Sequence, residues 1–278
     1  MSDPLVSTDW LEQNLARPDL RIIDCTWFMP DAGRDAKAEH DALHIPRAVY
    51  FDIDDIADTD RDLPHMLPSP AKFSSRVRKL GIGDGLTIVA YDNNNFYASA
   101  RAWWMFRVMG HEDIKVLDGG FAKWQAEGRR MDDLPDRRNV RHFTPRANTL
   151  LVRDLDQIRG NLTSRREQVV DTRSAERFAG TVAEPRPGLK AGHIPGAKNV
   201  PASSLVAADG TMKDSRALEA IFVEAGVDLG QPITTSCGSG VSAAVANLAL
   251  ARIGKHDTAL YDGSWTEWGS QPDTPIGR

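Results

Sequence analysis

Two cysteines, Cys25 and Cys237, are all the thiols among 278 residues. That number excludes a disulfide-stapled scaffold. No second Cys or His stands at ligand spacing from Cys237, so no metal centre is expected there. A cationic surplus is missing too. Lys+Arg total 34 against Asp+Glu 39, a formal charge of −5 with a pI near 5.8, which argues against nucleic acid or an anionic membrane as partner. No run approaches eighteen apolar residues, so no membrane span is expected. The opening MSDPLVSTDW lacks a basic stretch followed by an apolar core, so no secretory leader is expected. Disorder is excluded by 41% hydrophobic and 26% charged residues, ordinary values for a globular chain. The expectation is a soluble, cytoplasmic protein, and at roughly 150 residues per domain the length suits two domains.

What the chain does contain is written twice. Ile22-Ile23-Asp24 answers Val169-Val170-Asp171, and His44-Ile45-Pro46 answers His193-Ile194-Pro195. Asp92, closing an apolar run, answers Cys237, closing another; Asp118-Gly119-Gly120-Phe121 with Trp124 answers Asp262-Gly263-Ser264-Trp265 with Trp268. Four ordered landmarks at nearly constant offset mark an internal duplication. Each half alternates short β-branched runs with helical patterns. In the second half Gln168–Asp171, Lys198–Val200, Pro232–Ser236 and Thr258–Tyr261 read as buried strands. Ser215–Ala225 and Val241–Ile253 read as helices, the latter with Val241, Val245 and Leu248 on one face. Ala71–Leu80 and Ala98–Met109 are the clearest helices of the first half. This alternation predicts an α/β fold of two tandem domains, each a mostly parallel sheet with helices on both faces. Arg129–Asn148 is polar, Arg-rich and broken by prolines, a linker composition. The expected division is a non-catalytic domain over 1–140 and a catalytic one over 141–278.

Duplication separates scaffold from chemistry. Residues present in both halves, such as Asp24/Asp171, His44/His193 and Asp118/Asp262, are expected to serve the fold. Trp103, Trp104, Trp265 and Trp268 are expected to pack rather than to stack on substrate. Cys25 reads as an inert buried filler matching Thr172. Cys237 differs, because it replaces Asp92 and is followed by Gly238-Ser239-Gly240-Val241-Ser242. Ligands of open α/β sheets bind at the carboxyl ends of strands. Two glycines there let backbone N–H groups turn inward, and the next helix adds its positive end. A thiol held so is expected to ionise readily, and this setting favours a reactive role over the inert packing that is the default for a lone cysteine. A cysteine phosphatase would need an Arg six residues on, where Ala243 stands. A persulfide carrier fits the loop better.

The loop CGSGVSA, the single Cys in a duplicated chain, and the His-Ile-Pro and Asp-Gly-Ser-Trp landmarks resemble the rhodanese superfamily, from about Trp10 to Trp268. More narrowly they resemble its two-domain 3-mercaptopyruvate sulfurtransferase branch. Thiosulfate-preferring members carry basic residues after the Cys, where Gly238 and Ser239 stand here. Ser242 departs from the usual Thr but keeps a hydroxyl. The resemblance implies that Cys237 carries sulfane sulfur from 3-mercaptopyruvate to cyanide or a thiol such as a thioredoxin-like protein, with no cofactor. It implies that Gly238, Gly240, Val241 and Ser242 line the substrate loop. It implies that Arg177 and Arg186, in RFAGTVAEPRPG, hold the carboxylate and ketone, which suits arginine's planar fork. It implies, finally, that Asp54 and His65 serve Ser239 in protonating the departing enolate. Two alternatives stay open: a thiosulfate:cyanide sulfurtransferase, and a non-enzymatic persulfide carrier or sensor.

Overall fold

The computed structural model describes residues 3–136 and 138–278. Met1 and Ser2, in the opening segment, and Arg137, in the linker stretch, lie outside the described residues. The chain forms two compact units. One comprises Met1–Asp58, Leu67–Asn148 and Ala207–Met212; the other comprises Thr59–Met66, Thr149–Val206 and Lys213–Arg278.

Five strands build the first unit: β1 (Leu5–Val6), β2 (Leu20–Asp24), β3 (Ala48–Tyr50), β4 (Thr87–Tyr91) and β5 (Ile114–Leu117). Five build the second: β6 (Val152–Arg153), β7 (Gln168–Asp171), β8 (Lys198–Asn199), β9 (Ile233–Ser236) and β10 (Ala259–Tyr261). Their orders are β1-β5-β4-β2-β3 and β6-β10-β9-β7-β8, the same order twice. Among the described residues every pairing between these strands is parallel. Every residue of β2, β4 and β9 is buried, as expected of strands covered by helices on both faces. The register repeats as well: Asp24 pairs with Tyr91, and Asp171 with Ser236.

Local chemistry sets the helices between them. Pro70–Lys79 starts on Ser69, whose hydroxyl accepts from the Lys72 N–H, with Pro at its first position and Arg76, Arg78 and Lys79 in its last turn. Leu155–Ser164 carries a reciprocal Asp154/Gln157 capping box. One helix departs from its sequence pattern. Val241–Ile253, expected to be amphipathic from its first residue, is an α-helix only over Ala243–Arg252, and Ala243–Ala251 are all buried. Its entry is tighter than α, with Ala244 N–H bonded to Val241 O and Val245 N–H to Ser242 O, both three residues back. The helix has no solvent face over Ala243–Ala251, because neighbours distant in sequence cover the side opposite Val245 and Leu248 as well.

The duplicated polar residues serve the frame. His44 makes an antiparallel bridge with Asp132, and His193 makes the matching one with Gly277. The His193 ring stacks on Phe178 at 3.8 Å and turns Nδ1 to the Phe178 carbonyl. Asp24 accepts from the Thr26 N–H and the Tyr91 hydroxyl and pairs with His40. All four tryptophans named above are buried; Trp265 and Trp268 donate their indole N–H groups to the Lys190 and Pro275 carbonyls.

Candidate active site

β9 ends at Ser236 and delivers Cys237 to the carboxyl edge of the second sheet. The residue is 2% exposed. The loop curls back because Gly240 takes φ +79°, a conformation that glycine reaches without strain. Its N–H then points at the Cys237 sulfur, 3.1 Å away. A second element holds the loop from behind. The short helix Ser264–Trp268 places the Trp265 N–H on the Cys237 carbonyl (2.9 Å) and the Thr266 N–H and hydroxyl on the Gly238 carbonyl (2.8 and 2.7 Å). Ser264 accepts from the Cys237 N–H (3.1 Å) and donates to the Tyr261 carbonyl (2.8 Å). The Asp-Gly-Ser-Trp motif is thus a clamp on the cysteine loop. The first unit keeps one bond of it, Phe121 N–H to the Asp92 carbonyl (2.9 Å).

Of the remaining loop residues, Gly238 and Ser239 are half-buried, Val241 is buried, and Ser242 lies with its hydroxyl 3.2 Å from that of Thr172. Thr172 occupies the position of Cys25: each donates its N–H to the residue before the Asp92/Cys237 site, Tyr91 or Ser236. Cys25 is fully buried, and burial, with Asp24 and Asp92 adding, pushes its thiol well above the ordinary range.

Arg177 reaches the loop from the helix Ala175–Ala179. Its Nη2 lies 3.1 Å from the point where a side chain on Gly238 would begin. Glu184 holds it, with Nε to Oε1 at 3.2 Å and Nη2 to Oε2 at 2.5 Å. Glu184 in turn accepts from Arg173, which grips Asp171. Arg186 is half-buried and, among the described residues, makes no side-chain ion pair. Asp54 belongs to the first unit, where its carboxylate accepts from the Trp27 indole at 2.7 Å. His65, half-buried at φ +61°, belongs to the second unit together with Ser239. Among the described residues no group of three or more His, Cys, Asp or Glu could hold a metal ion, and no helix is long and apolar enough to cross a membrane.

Sequence reasoning missed Ser264, Thr266, Arg173 and Glu184. The first had a visible signal, since Ser264 puts a hydroxyl where the other half of the duplication has Gly120. Glu184 had none, because its importance lies in two arginines that converge only in space.

The same architecture occurs in known proteins. A family model described as the rhodanese-like domain matches residues 7–127 and again 154–271. The 3-mercaptopyruvate sulfurtransferase of Escherichia coli K12 is 41% identical over 276 residues, 98% of this chain and 96% of its own. The thiosulfate sulfurtransferase of Rattus norvegicus is 40% identical over 284 residues, 99% of this chain and 95% of its own. The crystal structure of SseA from Escherichia coli, a 3-mercaptopyruvate sulfotransferase, superposes with a TM-score of 0.87 at 37% identity, over 95% of this chain and 99% of that one.

Proposed function

The chain belongs to the rhodanese family, with a rhodanese-like domain in each half, and from that premise we propose that it is a 3-mercaptopyruvate sulfurtransferase whose sulfur carrier is Cys237. The observation that carries this reading is the contrast between the two strand ends. One presents a thiol with a backbone N–H aimed at its sulfur and an arginine beside the loop; the other presents Asp92.

In the first half-reaction the Cys237 thiolate attacks the sulfur of 3-mercaptopyruvate. An S–S bond forms, the C–S bond breaks, and its electron pair leaves on carbon as the enolate of pyruvate. Arg177 and Arg186 bind the carboxylate and ketone, the pairing to which a guanidinium fork is suited. Ser239, served by His65 of the same unit, delivers the proton that converts the enolate to pyruvate. Inward N–H groups such as that of Gly240 stabilise the persulfide anion, as oriented dipoles do for developing charge. In the second half-reaction cyanide or a thiol, including a thioredoxin-like one, takes the outer sulfur and restores the thiolate. Nothing in this cycle calls for a cofactor. The net charge of −5 accords with a cytoplasmic protein that acts on small molecules and other proteins, not on nucleic acid or membrane.

Thiosulfate is a second donor to consider, because the rat thiosulfate sulfurtransferase is nearly as similar as the mercaptopyruvate enzymes. Against it as the preferred donor stands Gly238, which offers no basic side chain after the cysteine. Intact-protein mass after incubation with 3-mercaptopyruvate tests the central step. One added sulfur atom is expected on the native chain and none on Cys237→Ser; steady-state rates with both donors rank them.

A further inference from the structure

Asp171, Arg173, Glu184 and Arg177 form a line of alternating charge that runs from the end of β7 to the cysteine loop. Asp171 is 3% exposed, Arg173 0% and Glu184 2%; only Arg177, at 25%, meets solvent. Arg173 is fixed on every side. Nε and Nη2 grip Asp171 (3.1 and 2.6 Å), Nη2 also donates to the Gly192 carbonyl (2.8 Å), and Nη1 reaches Glu184 (2.8 Å). Its guanidinium lies 4.2 Å over the Trp265 ring, the residue whose N–H clamps Cys237. The carboxylate of Glu184 is therefore immobilised before it meets Arg177.

We infer that Glu184 is the positioning residue that presents Arg177 to the substrate, an inference that rests on Arg177 binding the substrate carboxylate. Glu184 occupies the Nε/Nη2 edge of Arg177 in a two-point contact. That leaves the Nη1 side and the second N–H of Nη2 for a ligand, and Nη2 and Nη1 are the arginine atoms nearest Gly238. A free arginine chain loses much rotamer freedom when a ligand orders it. A buried acid anchored by a second arginine orders it before substrate arrives. The first unit has no such extension of the line: Asp24 is closed by Thr26, Tyr91 and His40.

Steady-state kinetics of Glu184→Gln, Arg177→Ala and the double variant test this. Removing the charge at 184 should raise KM for 3-mercaptopyruvate about tenfold, more than it lowers kcat, because the interaction lost is one of substrate binding. In the Arg177→Ala background the same change should raise KM no further, since Glu184 acts through Arg177. A KM unchanged by Glu184→Gln while Arg177→Ala raises it overturns the inference and leaves the substrate reading standing. An equal rise with and without Arg177 overturns it as well, by showing a general effect on the fold. An unchanged KM in Arg177→Ala removes the substrate reading itself. Should the Gln variant not fold, Glu184→Asp keeps the charge but shortens the reach, and an intermediate rise in KM is expected; wild-type KM there overturns the inference.

Discussion

The hydroxyl of Ser264 accepts the amide hydrogen of Cys237 at 3.1 Å, from a backbone held at φ +50°. A non-glycine residue in this region carries about 1–2 kcal/mol of strain, and Gly120 occupies the matching place in the first unit. The strained serine places a hydroxyl that the Cys237 backbone needs.

Replacing Ser264 by Ala should therefore destabilise the protein by about 1–3 kcal/mol, the usual cost of a buried donor left without an acceptor. Ser264→Gly should lose less, because it sheds the strain while losing the same bond. Urea unfolding of both variants measures the difference. Equal loss in the two would show that backbone strain plays no part. Single-turnover sulfur transfer should slow in both, as the cysteine backbone is no longer held.

A side chain on Gly238 would press on Arg177. A methyl there would sit 3.1 Å from Arg177 Nη2, and Glu184 prevents the guanidinium from stepping aside. Gly238→Ala should raise KM for 3-mercaptopyruvate about three- to tenfold with little change in stability. An unaltered KM would place the bound carboxylate away from Arg177.

Asp92 is a carboxylate that has filled its own cradle. Its Oδ1 accepts from the Asn94 and Phe96 N–H groups, both at 3.1 Å, and its Oδ2 from the Ser99 N–H at 2.7 Å. Asp92→Asn keeps the shape but turns an NH2 group toward one of these donors, so a loss of about 1–3 kcal/mol is expected. Asp92→Ala should be no better, leaving three N–H groups unanswered. Persulfide formation at Cys237, read by mass, should persist in whichever variant folds.

Burial pushes the Glu267 carboxyl above its ordinary value; Tyr261 and Arg61 oppose the shift, and Asp262 and Asp154 add to it. A carboxyl whose folded value is raised binds its proton more tightly in the native state. Its contribution to stability is present below the ordinary carboxylate value and is lost as pH rises through the raised one. The stability of wild type relative to Glu267→Gln should accordingly fall as pH rises from below the ordinary carboxylate value to above it. Denaturant midpoints of both proteins across that range measure it, and parallel profiles would contradict the shift.

Much of the fold was legible because strand ends are marked locally. Gln168–Asp171 coincides with β7, and Pro232–Ser236 differs from β9 only by a proline that has no N–H to donate. The helix after the cysteine loop was harder, since its alanine-rich face is buried by neighbours distant in sequence. At the site, glycine spacing announced the loop around Cys237, and the unmatched thiol singled it out. The clamp reads as scaffold because its Asp-Gly start and the aromatic residue that follows recur in the other half. The grip of Glu184 on Arg177 could not be read, for nothing in RFAGTVAEPRPG says that its acid will meet its first arginine and also Arg173 from outside the segment.

The scarcity of thiols also turns the molecule into its own counting standard. Cys25 is fully buried at the end of β2, with its sulfur beside the Ile23 carbonyl and its proton held firmly by burial, so it is expected to stay silent to alkylating reagents until the first unit opens. One equivalent of label reports a competent nucleophile, the appearance of a second reports unfolding, and both can be followed in a single tube by mass alone.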